Sequence, residues 1–200
     1  MRQAITRVQG PVAILQRDDI DTDALFPAQY LKTTVRQGMG VHLFADWVAA
    51  KNPDASFVTA GSATRILIAG RNFGCGSSRE HAVWALSDYG IQAIVALSFG
   101  DIFRNNTVKN GIVTGTVSAT DHAALTESLK VDGAMLAMDI ANCVALTPDG
   151  LKIKFELARG HLAQLLSGED DITRTLRYAD ALTAYEQKVA LQTPWLQRID

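Results

Sequence analysis

Between Gly70 and His81 the chain reads GRNFGCGSSREH, the densest cluster of chemically useful residues in the sequence. An apolar run, Thr64 to Ala69, precedes it and a helical pattern follows, so the segment reads as a strand-to-helix turn. Glycines let a backbone take positive φ and come close to a ligand. A helix start offers unpaired N–H groups and the positive end of the helix dipole, which favour an anion. Ser77 and Ser78 stand there with hydroxyls, and Arg79 adds a planar fork suited to a carboxylate. Together they fit a carboxylate or phosphate site. A plainer reading stands beside it. Ser77 and Glu80 have the S-x-x-E spacing of a capping box, which satisfies helix-end donors without a ligand. Capping requires neither Arg79, nor the second serine, nor three glycines before them. The segment lacks the Gly-Lys-Ser/Thr of a P-loop and the G-x-S-x-G of a nucleophile elbow.

An acidic stretch, RDDIDTD from Arg17 to Asp23, is the second concentration of functional groups. Asp and Thr side chains bond their own backbone in turns, so Asp18, Asp19 and Asp21 fit a solvated turn as well as a site. Cys75 is an isolated thiol, read as a small side chain lining a tight loop. Cys143 reads as buried and apolar. His81 is catalytic in type, but in the first turn of a helix it fits an orienting or structural role better. His42, His122 and His161 have no motif around them and read as surface or packing positions. Arg104, Asn105 and Asn106 either bond a substrate or partner, or cap and hydrate a short helix. Two cysteines exclude a disulfide scaffold and a thiolate zinc site. They also exclude an iron–sulfur cluster held by this chain alone, which needs three or four thiolates.

The elements that must position these groups follow the apolar pattern. Ile5 to Leu15 reads as two short strands or one bent strand, broken at Gly10-Pro11. Val41 to Lys51 has helical spacing, and KNPDAS after it reads as a loop. Thr64–Ala69, Ile91–Leu97 and Ile112–Val117 read as buried strands. They alternate with helices at about 78–89, 102–110 and 122–129, the first stopped by Gly90. Met138–Leu146 and Leu151–Leu157 flank a Thr-Pro-Asp-Gly turn and read as a hairpin. From about residue 160 the tail is helical, with Leu182, Tyr185 and Val189 at helical spacing. The expectation is one α/β domain over 1–200 with a C-terminal helical extension. A formal charge of −2 argues against general nucleic-acid binding, which needs a basic face. No apolar run reaches membrane-span length, and MRQAITRVQG has no signal-type stretch. The expected setting is cytoplasmic, with both thiols reduced.

NFGCGSSREHAVWAL, from Asn72 to Leu86, closely resembles the signature of the 3-isopropylmalate dehydratase small-subunit family, within the aconitase superfamily. DIDTDALFPAQYLKTT (19–34), SFGDIFRNNTVKNG (98–111) and GEDDITRTL (168–176) agree with that family in order and spacing. The resemblance covers most of the chain. It implies the swivelling β/β/α domain that closes aconitase, with a mixed sheet flanked by helices. It implies a hydro-lyase that moves a hydroxyl by dehydration and rehydration, as in 2-isopropylmalate to 3-isopropylmalate. It also implies a separate large subunit that holds a 4Fe-4S cluster, so that this chain binds no metal of its own. The substrate would be a small dicarboxylate, with no nucleic acid or membrane partner.

By the same resemblance Ser77 matches the serine that removes a proton as an alkoxide, and Ser78 and Arg79 match carboxylate contacts. Thr22 and Asp23 match an active-site Thr-Asp pair. Arg36 is the candidate for a substrate-binding arginine, and Leu31 for a contact to the substrate's variable side chain. The sequence departs from the family at Phe26 before Pro27, at Thr107 and Val108, at Thr114, and at LARGHLAQ from Leu157. These departures keep open a related hydro-lyase of homoaconitase, citramalate or dimethylmalate type, or a catalytically silent paralogue.

Overall fold

The computed structural model of the chain describes residues 3–15, 17–32, 35–61 and 63–196. Thr33 and Thr34, the end of the DIDTDALFPAQYLKTT motif, lie outside the described residues, as do the first two and last four positions of the 1–200 span.

The N-terminal segment is one strand, β1 (Arg7–Leu15), whose halves serve different neighbours. Val12 to Leu15 pair in parallel with β2 (Ile66–Ala69), and Arg7 to Pro11 pair antiparallel with β5 (Met135–Asp139). Gly10-Pro11 marks the changeover rather than a break. Strands β3 (Ala93–Ala96) and β4 (Val113–Thr116) continue the parallel side. Strands β6 (Val144–Leu146) and β7 (Lys152–Lys154) continue the antiparallel side. Among the described residues the sheet has the order β4-β3-β2-β1-β5-β6-β7. Its two ends approach each other. Thr116 donates to the Glu156 carbonyl at 3.0 Å and Glu156 returns a bond at 2.7 Å, so the sheet curls.

Curling gives β2 and β3 two dry faces, which is why both are continuous apolar runs. Ile66, Ile68, Ala93 and Val95 join Leu136, Met138 and Phe155 on the inner face. Leu67, Ala69, Ile94 and Ala96 face the other way. They meet Ala82, Val83, Ala85 and Leu86 of helix α4 (Glu80–Tyr89) in this second core. The remaining helices are α1 (Thr22–Leu25), α2 (Ala45–Ala49), α3 (Ser56–Thr59), α5 (Asp101–Lys109) and α6 (Ala119–Ser128). The tail forms α7 (Arg159–Ser167), α8 (Asp171–Leu176) and α9 (Ala179–Gln192). None of these helices is long and apolar enough to cross a membrane.

Local expectations are corrected at four places. The helix expected over 41–51 is a 3-10 turn, Gly40–His42, followed by α2, because Phe44 takes a left-handed φ of 53° between them. KNPDAS is a capped helical turn leading into α3, with the Asn52 side chain accepting from the Asp54 N–H at 3.1 Å. Met138–Leu146 is two strands, since the chain turns at 140–143 and Cys143 sits at φ 52°. Cys143 is accordingly half-buried at a turn rather than buried.

Candidate functional site

Three loops leave the carboxyl ends of β1, β2 and β3 side by side, the edge where open parallel sheets hold ligands. They are stitched to one another through the acidic stretch. Asp18 accepts from the Arg71 N–H at 2.6 Å, and Asp19 accepts from the Asn72 amide at 2.7 Å. Asp21 caps α1 by accepting from the Ala24 N–H at 2.7 Å. The Gly74 N–H reaches the Ile20 carbonyl at 2.7 Å, and the Thr22 N–H reaches the Cys75 carbonyl at 3.0 Å. Phe73 donates to the Ser98 carbonyl at 3.0 Å, and the Asn72 N–H to the Ser98 hydroxyl at 2.8 Å. Asp18 and Asp19 are exposed, as a solvated turn requires, but bond across to the loop after β2 rather than to their own backbone, and Asp21 is a helix cap.

The capping-box reading of Ser77 and Glu80 does not hold. Helix α4 starts at Glu80, with Arg79 at the cap position in extended backbone and no side-chain cap. Glu80 instead accepts from the Trp84 indole at 3.1 Å and the Asn110 amide at 2.9 Å. Ser77 and Ser78 lie exposed in the loop before the helix. Thr22, only 1% exposed, donates its hydroxyl to the Ser77 carbonyl at 3.2 Å. Asp23, the next residue, forms an ion pair and hydrogen bond with Arg79. The structure thus brings Thr22, Asp23, Ser77, Ser78 and Arg79 to one exposed corner. Leu31 is partly buried and packs against the helix-side core. Arg36 lies on the flank of α4, over the ring of Trp84.

Electrostatics separate the groups near this corner. For Glu80, burial pushes the carboxyl up, but the Asn110 and Trp84 hydrogen bonds and the charges of Arg36 and Lys109 outweigh it. Its pKa falls below the usual carboxylate range. Burial, then the charges of Asp21 and Asp19, push the Cys75 thiol up. Cys75 is thus a protonated side chain at neutral pH, the state least suited to bind metal or attack. His81 stacks on Phe26 at 6.1 Å and contacts Trp84 at 4.8 Å. His42 stacks on Tyr30 at 4.0 Å, His122 bonds the Ala69 carbonyl at 2.7 Å, and His161 bonds Asn105 at 3.0 Å. Arg104 reaches the Thr116 hydroxyl at 3.3 Å and lies over Phe99. Sequence reasoning missed the Glu80–Trp84–Asn110 set. The i, i+4 spacing of Glu80 and Trp84 was a usable signal for one of its bonds.

Thr22 supports a direct test of this geometry. Thr22→Val removes the donor to the Ser77 carbonyl and is expected to cost about 1 kcal/mol. Equilibrium urea unfolding measures it, and an unchanged midpoint would remove Thr22 from the support of the serine loop.

Comparison with known proteins agrees with this architecture. The profile of the aconitase C-terminal domain matches residues 2–120, and that of the C-terminal domain of the 3-isopropylmalate dehydratase small subunit matches residues 171–199. The chain is 40% identical over 203 residues to a 3-isopropylmalate dehydratase small subunit from Methylibium petroleiphilum, covering 94% of each chain. It is 43% identical over 198 residues to one from Nitrobacter winogradskyi, covering 95% of this chain and 98% of that one. A crystal structure of 3-isopropylmalate dehydratase from Methanocaldococcus jannaschii superposes with a TM-score of 0.68 at 28% identity. That match covers 90% of this chain and 99% of the other.

Proposed function

The chain belongs to the family of 3-isopropylmalate dehydratase small subunits, with the aconitase C-terminal-domain fold, and from that premise we propose the chemistry of its exposed corner. It acts with a large subunit to isomerise 2-isopropylmalate to 3-isopropylmalate, the leucine-pathway dehydration and rehydration. The observation that carries this reading is the convergence of Thr22 and Asp23 from one loop with Ser77, Ser78 and Arg79 from another.

Ser77 removes the proton from the carbon next to a substrate carboxylate and returns one on rehydration. A serine hydroxyl is a weak acid, so its oxyanion needs help. The dipole at the start of α4, where no side chain caps the helix, supplies it together with the Arg79 charge. Ser78 and Arg79 bind a carboxylate of the substrate. Asp23 orients the Arg79 fork, and Thr22 fixes the backbone of Ser77. Arg36 and Leu31 lie on the segment that reads the rest of the substrate.

The residues of this chain do not fit a 4Fe-4S cluster. Its two cysteines fall short of the thiolates required, and Cys75 and Cys143 sit on different loops. The cluster belongs in the large subunit, and the corner formed here is the proton-transfer and carboxylate half of a shared site. Mixing the chain with its cognate iron–sulfur large subunit is expected to yield dehydratase activity that neither component has alone. A screen of malate-type acids then ranks 2-isopropylmalate against its relatives. Full activity from this chain by itself, free of iron, would overturn the reading.

A further inference from the structure

The flank of α4 carries a layered arrangement around Arg36 whose other members the chemistry above leaves unused. The guanidinium of Arg36 lies over Trp84, with Cζ 4.7 Å from the ring centroid. The Trp84 indole N–H donates to Glu80 Oε1 at 3.1 Å, and the Asn110 amide donates to the same oxygen at 2.9 Å. Asn110 is itself tied to the Asn106 carbonyl at 2.9 Å. Helix side chains lean toward the N-terminus, so the Trp84 ring lies back along the first turn of α4, where it meets Glu80. The segment carrying Arg36 is fastened on both sides. Tyr30 stacks on His42 at 4.0 Å, and the Gly40 N–H donates to the Asp88 carboxylate of α4 at 2.8 Å. Arg36 itself is exposed between these anchors.

We propose that Trp84 is a positioning residue for Arg36. The indole face, turned by Glu80 and Asn110, holds the guanidinium beside the first turn of α4, where it meets the second carboxylate of the dicarboxylate bound by Ser78 and Arg79. The assignment rests on the reading of the Ser77–Arg79 corner as the substrate site. A long arginine loses much rotamer freedom when a ligand orders it, and a pre-placed one loses less. Stacking on a ring also leaves the N–H fork, which lies in the guanidinium plane, free for a carboxylate. A leucine fills part of the space but offers no negative ring face.

The test is a double-mutant cycle in the reconstituted two-subunit enzyme, with KM and kcat measured on 2-isopropylmalate. Arg36→Ala is expected to raise KM about tenfold or more, the loss of a charged hydrogen-bond donor. Trp84→Leu is expected to raise KM about three- to tenfold, with kcat within about twofold. In the Arg36→Ala background, Trp84→Leu should add no further rise. A Trp84→Leu effect that persists in full there overturns the proposal, because Trp84 would then act independently of Arg36. A wild-type KM for Arg36→Ala removes Arg36 from the substrate and overturns the proposal too. The Ser77 reading is untouched by that result, having its own variant. A second measurement needs no activity. The Trp84 ring current should shift the Arg36 δ-proton resonances upfield in the isolated wild-type chain, and unshifted resonances would overturn the contact itself.

Discussion

Ser77→Ala is expected to lower turnover of the reconstituted enzyme by about 10²- to 10⁴-fold, the range in which a positioned acid–base group contributes. The substitution is selective for geometric reasons. Thr22 bonds the backbone carbonyl of Ser77, not its hydroxyl, so alanine keeps the strut that places the loop. Ser77 is exposed, so no buried cavity is created. Arg79 remains paired with Asp23, and the start of α4 is unchanged. Substrate carboxylate binding should survive, and KM should stay within a few-fold while kcat collapses. Steady-state kinetics give the two constants, and size-exclusion chromatography with the large subunit shows that assembly is retained. Turnover equal to wild type would strip Ser77 of its proton-transfer role.

The parts of this corner that could be read in advance were those with local causes. β2 is a run of four buried apolar residues, and α4 ends where Gly90 takes φ 111°, so both were visible as pattern and punctuation. The Ser77–Glu80 spacing misled because a capping box assumes the helix starts at once. Here the backbone stays extended through Arg79, and Glu80 finds Trp84 four residues on and Asn110 just past the end of α5. Asp18 and Asp19 were just as opaque. Their partners lie 53 residues away on the loop after β2, and only the parallel pairing of β1 with β2 brings them together. The convergence of Asp23 with Arg79 has the same origin. The residues were legible one by one, but their meeting is a property of strand order. Resemblance supplied it where local pattern did not.

Gly74 shows what that stitched geometry demands, and Gly74→Ala is expected to destabilise the fold by about 2–5 kcal/mol, the sum of two costs. Gly74 has φ +73°, and a side chain in the left-handed region costs about 1–2 kcal/mol. A Cβ there would also run into the ring of Phe103, at Cγ and both Cδ atoms. Phe103 is 3% exposed and packs edge-on against Phe73 at 5.5 Å, so its ring has little room to yield. Overpacking of this kind costs about 1–3 kcal/mol. The Gly74 backbone also runs close to Gly100, its carbonyl 2.7 Å from where a Cβ on Gly100 would stand. For a chain of this size the loss corresponds to a fall in Tm on the order of 5–15 °C. Gly133 supplies the control, with φ +72° and nothing within 4 Å of its Cβ position. Gly133→Ala should therefore show the backbone cost alone. Thermal unfolding of the two variants separates the terms, and a Gly74 variant no less stable than the Gly133 one would refute the clash with Phe103. The clash falls on the loop whose Gly74 N–H holds Ile20 and whose Cys75 carbonyl holds Thr22. The same variant should then lose turnover beyond its loss of folded protein, because the strain sits between the two halves of the corner that carries Ser77.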